Sequence, residues 1–522
     1  MKSLISRSEL FLASLLGIYS IYYLMVSLSV VWGFTTDDAY ISLLYARQLA
    51  DGKGLYWHEL MPLVEGYSNF LWVLIASAVI KLQCPLVCTM KWISVFSLGL
   101  GLIFLYRLGR LFFSPLLAIL PVFLFSHYSG VAWWTVSGLE SLFFCALSLL
   151  LIWQVAAAFG YTATSEQQKT STSAWIIANS ALLLLSLTRF EGLIWVIPVA
   201  FFIICQVRSS RLNELAFDYK KVYLWGLISF GCFVFPYALY FIWRLSYFGH
   251  WIPNSYRCKA FVQGQVAVVD LNYLRMIIPL IVAALPYFLA SKDCRHLLLW
   301  VPSVLYALML WKADPILAHH LRLFLGPFAL FTLLSVLGVS QFLGQFKLSS
   351  WHLKLVTSLV IMVMTFLFIP DTHFADLRVT VANYQARSQN RLALAKLLNA
   401  QAGNGATVLL GDIGLIPFSA RPDIRFIDSQ CLNNAALTQA PYNNNLALYA
   451  AYLQKQVKPD WVIVVKPLYE AHLDFLVDLL EKNKFLRQYQ LVGTLESGAV
   501  VPGIANHSKK MTDYVYLLYK RK

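Results

Sequence analysis

The sequence predicts a polytopic α-helical membrane protein with a C-terminal extracytoplasmic α/β domain. Three observations carry this. Of 522 residues, 59% are hydrophobic and 13% charged, where a soluble domain carries about 25% charged residues. Apolar stretches suited to a bilayer recur as far as Pro370. Beyond Pro370, short apolar runs bounded by turn residues alternate with helical patterns.

The elements follow in chain order. Lys2 and Arg7 precede an apolar run over 10–32 that is too long for a signal-peptide core, and no small-residue cleavage site follows it. It reads as an uncleaved first transmembrane helix entering from the cytoplasm. Further apolar stretches fall near 69–82, 87–106, 113–126, 139–159, 174–188, 192–207, 222–245, 273–291, 297–311, 323–345 and 355–370. Several are short enough to be bundle-buried or re-entrant, which gives about 11 to 13 spans in all. After 370, the runs 406–410, 461–465 and 514–519 read as buried strands, and 446–456 and 473–484 as helices. The chain thus divides into a membrane bundle over 1–370 and an α/β domain over 371–522, large enough for a core of its own.

Charge assigns the sides. The net charge of +15 comes from 41 Lys and Arg against 26 Asp and Glu. No basic run gathers it, which argues against nucleic acid as a partner. The clusters Arg107 and Arg110, Lys169, Arg208 to Lys221, Lys292 and Arg295, and Lys347 and Lys354 read as cytoplasmic. That leaves 127–138, 189–191, 246–272, 312–322 and everything after 370 outside, with the N-terminus in and the C-terminus out. Between the first helix and Arg110 an odd number of crossings is needed, yet two apolar segments are visible, so one is re-entrant or interfacial or a third is hidden. Of the eight cysteines only Cys258 and Cys431 fall in outer regions; the sequence leaves a disulfide between them open.

Candidate chemistry begins at Asp37-Asp38-Ala39-Tyr40, directly after the first helix. Adjacent carboxylates at a membrane boundary cost energy unless they are used or solvated; they suit a general base or a helix N-terminus. The run 37–54 is amphipathic. It carries Tyr40 and Arg47, and Glu65, Tyr67, Asn69 and Trp72 follow. Rings beside hydrogen-bonding groups suit a sugar, although Tyr67 and Trp72 also fit an interfacial belt. Glu140 reads as a site residue or a helix-start acid, and Arg189 with Glu191 as a site or an interfacial ion pair. Asn254 and Tyr256 suit a ligand contact or a turn after Pro253. Arg257 and Lys259 suit a donor phosphate or lipid headgroups. Arg322, entering an apolar segment, calls for a phosphate or carboxylate partner. His319 and His320 could hold metal but lack convergent ligands, and Asp412 follows a strand where a turn would do.

These blocks carry a resemblance. DDAYISLLYARQLADGKGLYW (37–57) followed by VEGYSNFLW (64–72) looks like the first extracytoplasmic loop of bacterial GT-C glycosyltransferases, a group that includes the mycobacterial terminal arabinofuranosyltransferases. Ser137-Gly138-Leu139-Glu140 resembles the family's SGxE turn. Thr188-Arg189-Phe190-Glu191-Gly192 resembles its TRPEG block, with Phe190 in place of Pro. The stretch from Tyr247 to Tyr256, with Lys259 following, resembles its YFGxxxPNTYYAK block, and Asp412-Ile413-Gly414 its DxG segment. Where the family has a GGD-type segment this chain reads Trp311-Lys312-Ala313-Asp314, followed by His319-His320-Leu321-Arg322.

The resemblance implies a GT-C-like bundle that transfers a sugar, with inversion, from a polyprenyl-phosphate donor to a cell-envelope glycan or lipid-linked acceptor. The reaction would lie on the outer face of a bacterial inner membrane. It makes Asp37 the favoured base, with Asp38 as its pairing or metal-orienting partner. Substrate contacts would come from Tyr40, Arg47, Glu65, Tyr67, Asn69, Glu140, Arg189, Glu191, Asn254, Tyr256, Arg257, Lys259, Asp314, His320 and Arg322. A divalent metal ion is left open. The alternative class is a transporter or flippase of lipid-linked sugars, which would carry ionisable residues at the midplane of discontinuous helices. Here the acids cluster at helix ends and a folded domain follows.

Overall fold

The computed structural model describes residues 7–162, 170–212, 219–261, 271–309, 322–369, 374–429, 431–439, 441–442, 445–467, 485–496 and 514–522. Seven helices among them are long and apolar enough to cross a membrane, or eight if the bent pair Pro115–Ser126 and Ser129–Thr135 is one span. The sequence count of about 11 to 13 is higher, because Phe70–Lys81 and Thr172–Thr188 are apolar but only 12 and 17 residues long.

Polar side chains at the helix ends set the levels of the bundle. In the first helix, Arg7–Val31, the Glu9 carboxylate accepts from the Leu116 amide at 3.4 Å and from Lys354 at 2.7 Å. One end of Arg7–Val31, Pro115–Ser126 and Ser350–Phe368 therefore meets at one level. At the other end, Lys91 donates to the carbonyls of Trp32 and Phe34 at 2.8 and 2.7 Å. These carbonyls just past the helix have no intrahelical partner. The Leu86–Gly109 helix thus starts where the first helix ends and returns toward Arg107. The 12-residue Phe70–Lys81 helix before it measures about 18 Å, too short for a core of about 30 Å. It enters and leaves at the same end, which supplies the odd number of crossings that the charge pattern requires.

Helix Ser129–Thr135, bent 68° from its predecessor, is wholly buried. It leads into a turn at Gly138, where φ is +85° and an added Cβ would lie 3.0 Å from the Ala39 Cβ. A side chain there is strained and crowded at once. The turn is held to the segment just after the first helix by the Thr36 amide on the Ser137 carbonyl, 3.0 Å, and to the Phe70–Lys81 helix by the Trp72 indole on the Gly138 carbonyl, 3.0 Å. Three segments carrying sequence blocks are thereby fixed to one another.

After the bundle the 28-residue Phe374–Gln401 helix leads into a five-stranded mixed sheet. Its strands are β1 (Thr407–Leu410), β2 (Arg425–Asp428), β3 (Trp461–Pro467), β4 (Tyr489–Glu496) and β5 (Tyr514–Arg521), in the order β2-β1-β3-β5-β4. β2 and β3 flank β1 in parallel, while β5 runs antiparallel to β3 and β4. Strands are found at the three expected sites. β2 and β4 are additional: β2 is only four residues long, and β4 exposes Leu491 and Val492, so neither shows a strong apolar run. The expected 446–456 helix is present as Leu446–Tyr452 and a π-turn to Val457; the 473–484 helix lies outside the described residues.

The amphipathic run after the first helix forms Asp37–Ala50. Its apolar face, Ile41, Leu43, Leu44, Tyr45 and Ala46, shares one core with Leu394, Leu398, Val408, Leu410, Ile416, Phe426, Trp461, Ile463 and Tyr516. The sheet domain does not keep its core to itself but closes over this helix.

Candidate functional site

The sequence blocks meet in two groups, back to back across the Asp37–Ala50 helix. The first lies in the bundle around Glu140, which is fully buried. One of its oxygens accepts from Asn69 at 2.6 Å, and Asn69 is in turn held by Ser42 at 2.9 Å. The other oxygen is paired with Arg189, whose Nε pairs with Glu191. Arg322 stands 4.0 Å from the same Glu140 oxygen and 3.5 Å from Asp38, its guanidinium 5.3 Å above the Trp134 ring. Tyr256 packs edge-on against Phe190, beside Glu191. Six segments that are distant in sequence thus contribute Asp38, Asn69, Glu140, Arg189, Glu191, Tyr256 and Arg322.

The electrostatics of this group favour charge. Burial opposes an ionised Glu140, but the Arg189 and Arg322 guanidiniums and the Asn69 amide outweigh it and hold the carboxyl below its ordinary value. A buried pair of this kind is costly to break, because the surviving charge is left without a counterion. Two features are not consumed by the network. The Asp38 side chain is 46% exposed, and the Arg322 Nε is buried without a hydrogen-bond partner among the described residues. The cluster therefore presents one reachable carboxylate and one desolvated guanidinium edge.

The second group faces the C-terminal domain. Asp37, the base that the resemblance favours, has both its oxygens occupied by that domain. They accept from the Gly414 and Leu415 amides at 3.0 and 2.9 Å, and Arg391 lies 3.3 Å away. Arg391 also holds Asp412 at 3.0 Å, and Tyr516 donates to the same Asp412 oxygen. Burial pushes Asp37 up, with Asp412 adding to the effect, whereas Asp412 is held low against its own burial by Arg391 and Tyr516. Tyr40 packs on Phe418, and Arg47 stacks on the same ring and donates to its carbonyl at 3.0 Å. Asn254 donates to the Cys431 and Leu432 carbonyls at 2.8 and 2.9 Å and accepts from Thr438, and Arg257 donates to the Thr438 carbonyl at 2.7 Å. Cys258 and Cys431 are joined as a disulfide with Cα atoms 5.6 Å apart.

Glu65 and Tyr67 belong to neither group. Glu65 is paired with the buried Arg244, and both line a cleft with Tyr67, Phe190, Tyr237 and Tyr240. Asp314 and His320 lie outside the described residues, as does the side chain of Lys259. Among the described residues no group of three or more His, Cys, Asp or Glu could hold a metal ion; Asp38, Glu140 and Glu191 each face an arginine. Sequence reasoning missed Arg244, Arg391, Asn433 and Thr438. A signal existed for Arg391, which sits three residues before Leu394 on the buried stripe of its helix. Arg244 also gave one, as a charge inside the apolar run 222–245; Asn433 and Thr438 gave none.

Solved structures with this architecture exist. The chain is similar to ArnT from Cupriavidus metallidurans, both in a crystal bound to undecaprenyl phosphate (TM-score 0.53, 10% identity, 97% of each chain covered) and in the apo state (TM-score 0.54, 10% identity, 97% of each). It is also similar to the Archaeoglobus fulgidus oligosaccharyltransferase, tethered with an acceptor peptide containing the NVT sequon (TM-score 0.53, 13% identity, 94% of this chain and 74% of that one). At such identities the likeness is one of fold: a polytopic helical membrane protein with a C-terminal α/β domain. A family model described as "Domain of unknown function (DUF8728)" matches residues 378–519. No curated protein matches the sequence.

Proposed function

We propose that the protein is a membrane glycosyltransferase that moves a sugar from a polyprenyl-phosphate donor to a cell-envelope glycan or lipid-linked acceptor. The reaction takes place on the extracytoplasmic face of a bacterial cell membrane, with the catalytic bundle in residues 1–370 and the outer domain in 371–522. The observation that carries this reading is the exposed Asp38 carboxylate 3.5 Å from the buried Arg322 guanidinium. A base and an anion-binding cation side by side are what transfer from a lipid phosphate requires. The bound undecaprenyl phosphate of the ArnT crystal supports a donor of that class, and the motif resemblance to arabinofuranosyltransferases supports an envelope acceptor.

Asp38, rather than Asp37, is the base in this reading, because both Asp37 oxygens are taken. Asp38 accepts the proton of the acceptor hydroxyl as its oxygen attacks the anomeric carbon. The bond from that carbon to the phosphate oxygen breaks on the opposite face, so the configuration inverts. The departing phosphate gains charge, which the desolvated Arg322 edge stabilises where few waters compete. Glu140, itself paired with Arg189, holds Arg322 from behind, and Trp134 supports its plane.

The test is mass analysis of envelope glycans from a deletion strain carrying either the native gene or Asp38→Asn. A terminal sugar absent from the deletion, restored by the native gene and not by the variant, is the expected result. Unchanged glycans in the deletion strain would remove the reading.

A further inference from the structure

The two groups of residues are connected through single turns of backbone. Asp37 and Asp38 are neighbours at the start of one helix; the first is bound to the C-terminal domain and the second faces Arg322. The same division recurs in Asn254–Phe261, where Tyr256 packs on Phe190 in the bundle while Asn254, Arg257 and Cys258 are attached to residues 431–438. A third attachment is the Tyr45 hydroxyl, one face further along the Asp37–Ala50 helix, which bonds Asn433 at 2.9 Å and the Val64 carbonyl at 2.7 Å.

We infer that the C-terminal domain is the positioning element of the membrane site, with Arg391, through Asp37, setting the place of Asp38. This rests on the reading of Asp38 given above. The chemistry is economical. Arg391 is buried between two carboxylates, Asp37 and Asp412, so its position is overdetermined. The Gly414 and Leu415 amides point at Asp37 from the start of a short helix and have no other use for their hydrogens. Gly414 is irreplaceable on geometric grounds, since an added Cβ would fall 2.1 Å from the Asp37 carbonyl oxygen. With Asp37 fixed at both oxygens, the next residue on the helix is committed to the bundle side. Among the described residues Asp38 makes one long contact, with Arg322, so its placement is supplied by its neighbour. Arg391 is thus a positioning residue, not a catalytic one.

The experiment uses the full-length protein in lipid nanodiscs, with Arg391→Ala, Arg391→Lys and Asp38→Asn beside the native chain. Three quantities are read: hydrogen exchange over 37–45, binding of undecaprenyl phosphate, and the rate of sugar transfer from polyprenyl-phosphate sugars prepared from host membranes. Arg391→Ala is expected to speed exchange over 37–45 at least tenfold and to lower the transfer rate at saturating donor at least tenfold. Undecaprenyl phosphate binding should stay within twofold, and Arg391→Lys should recover part of both losses. The Cys258–Cys431 link keeps the domain attached in every variant. Native exchange and native transfer in Arg391→Ala would overturn the inference, as would a loss confined to phosphate binding. Normal transfer by Asp38→Asn would instead sink the assignment of the base, and the exchange of Arg391→Ala would still report whether the clamp exists.

Discussion

Asp38 and Arg322 face each other at 3.5 Å although 284 residues separate them in the chain. Their contact joins the segment after the first helix to the segment entering the Leu325–Gly344 helix, and in the proposed reading it offers a ligand both a proton acceptor and a cation. The predictions start from this pair.

Asp38→Asn keeps size and shape but cannot take a proton. A positioned base contributes typically 10²–10⁴-fold, so transfer should fall at least about a hundredfold while the protein still inserts and melts normally, because the Asp38 side chain is half exposed. Asp37→Asn should instead loosen the domain, which limited proteolysis will read. A dead Asp37→Asn with a tight domain, beside an active Asp38→Asn, would exchange the two roles.

Arg322→Ala removes the desolvated guanidinium edge while leaving Glu140 paired with Arg189. Hydrogen bonds to charged groups contribute about 1.5–3 kcal/mol, so undecaprenyl phosphate should bind roughly ten- to a hundredfold more weakly. Native mass spectrometry of the purified protein measures this; equal affinity would take Arg322 out of the site.

Glu140→Ala takes one carboxylate from each of two arginines, leaving Arg189 with Glu191 alone and Arg322 with the half-exposed Asp38 alone. Removing one partner of a buried pair costs about 3–5 kcal/mol, so the variant should melt well below the native protein in detergent. Glu140→Gln, which keeps a hydrogen-bond acceptor for Asn69 or Arg189, should lose less. Equal melting of all three proteins would show that the hub carries no stability.

Cys258 and Cys431 are fully buried and linked, whereas Cys84 and Cys88 are free and exposed. Peptide mapping without reductant should recover one cross-linked pair, 258 with 431. Because disulfides persist in oxidising compartments, the same experiment on protein made in a reducing cytosol should give less material with a closed domain. Two free thiols at 258 and 431 in membrane-derived protein would contradict the structure.

A C-terminal alkaline phosphatase fusion should be active and a green fluorescent protein fusion dark, as the loop charges require. The opposite pattern would move the Glu140 cluster and the whole C-terminal domain to the cytoplasmic face.

The sequence by itself determined the architecture: a bundle followed by an α/β domain, with strands at 406–410, 461–465 and 514–519. Hydropathy and periodicity report burial residue by residue, so elements with strong local patterns are legible and β2 and β4, with weak ones, are not. The blocks around Asn69, Glu140, Arg189, Glu191, Tyr256 and Arg322 were also visible as unusual polar groups at helix ends. What each block does was decided by tertiary structure alone. Neighbouring residues on a helix point about 100° apart, so Asp37 and Asp38 cannot serve the same side, and nothing local says which serves which. The choice is made by the amides of Gly414 and Leu415, 377 and 378 residues away. Tyr40, Arg47, Asn254 and Arg257 turn to the domain for the same reason: their partners Phe418, Cys431 and Thr438 are brought to them only when the chain has folded.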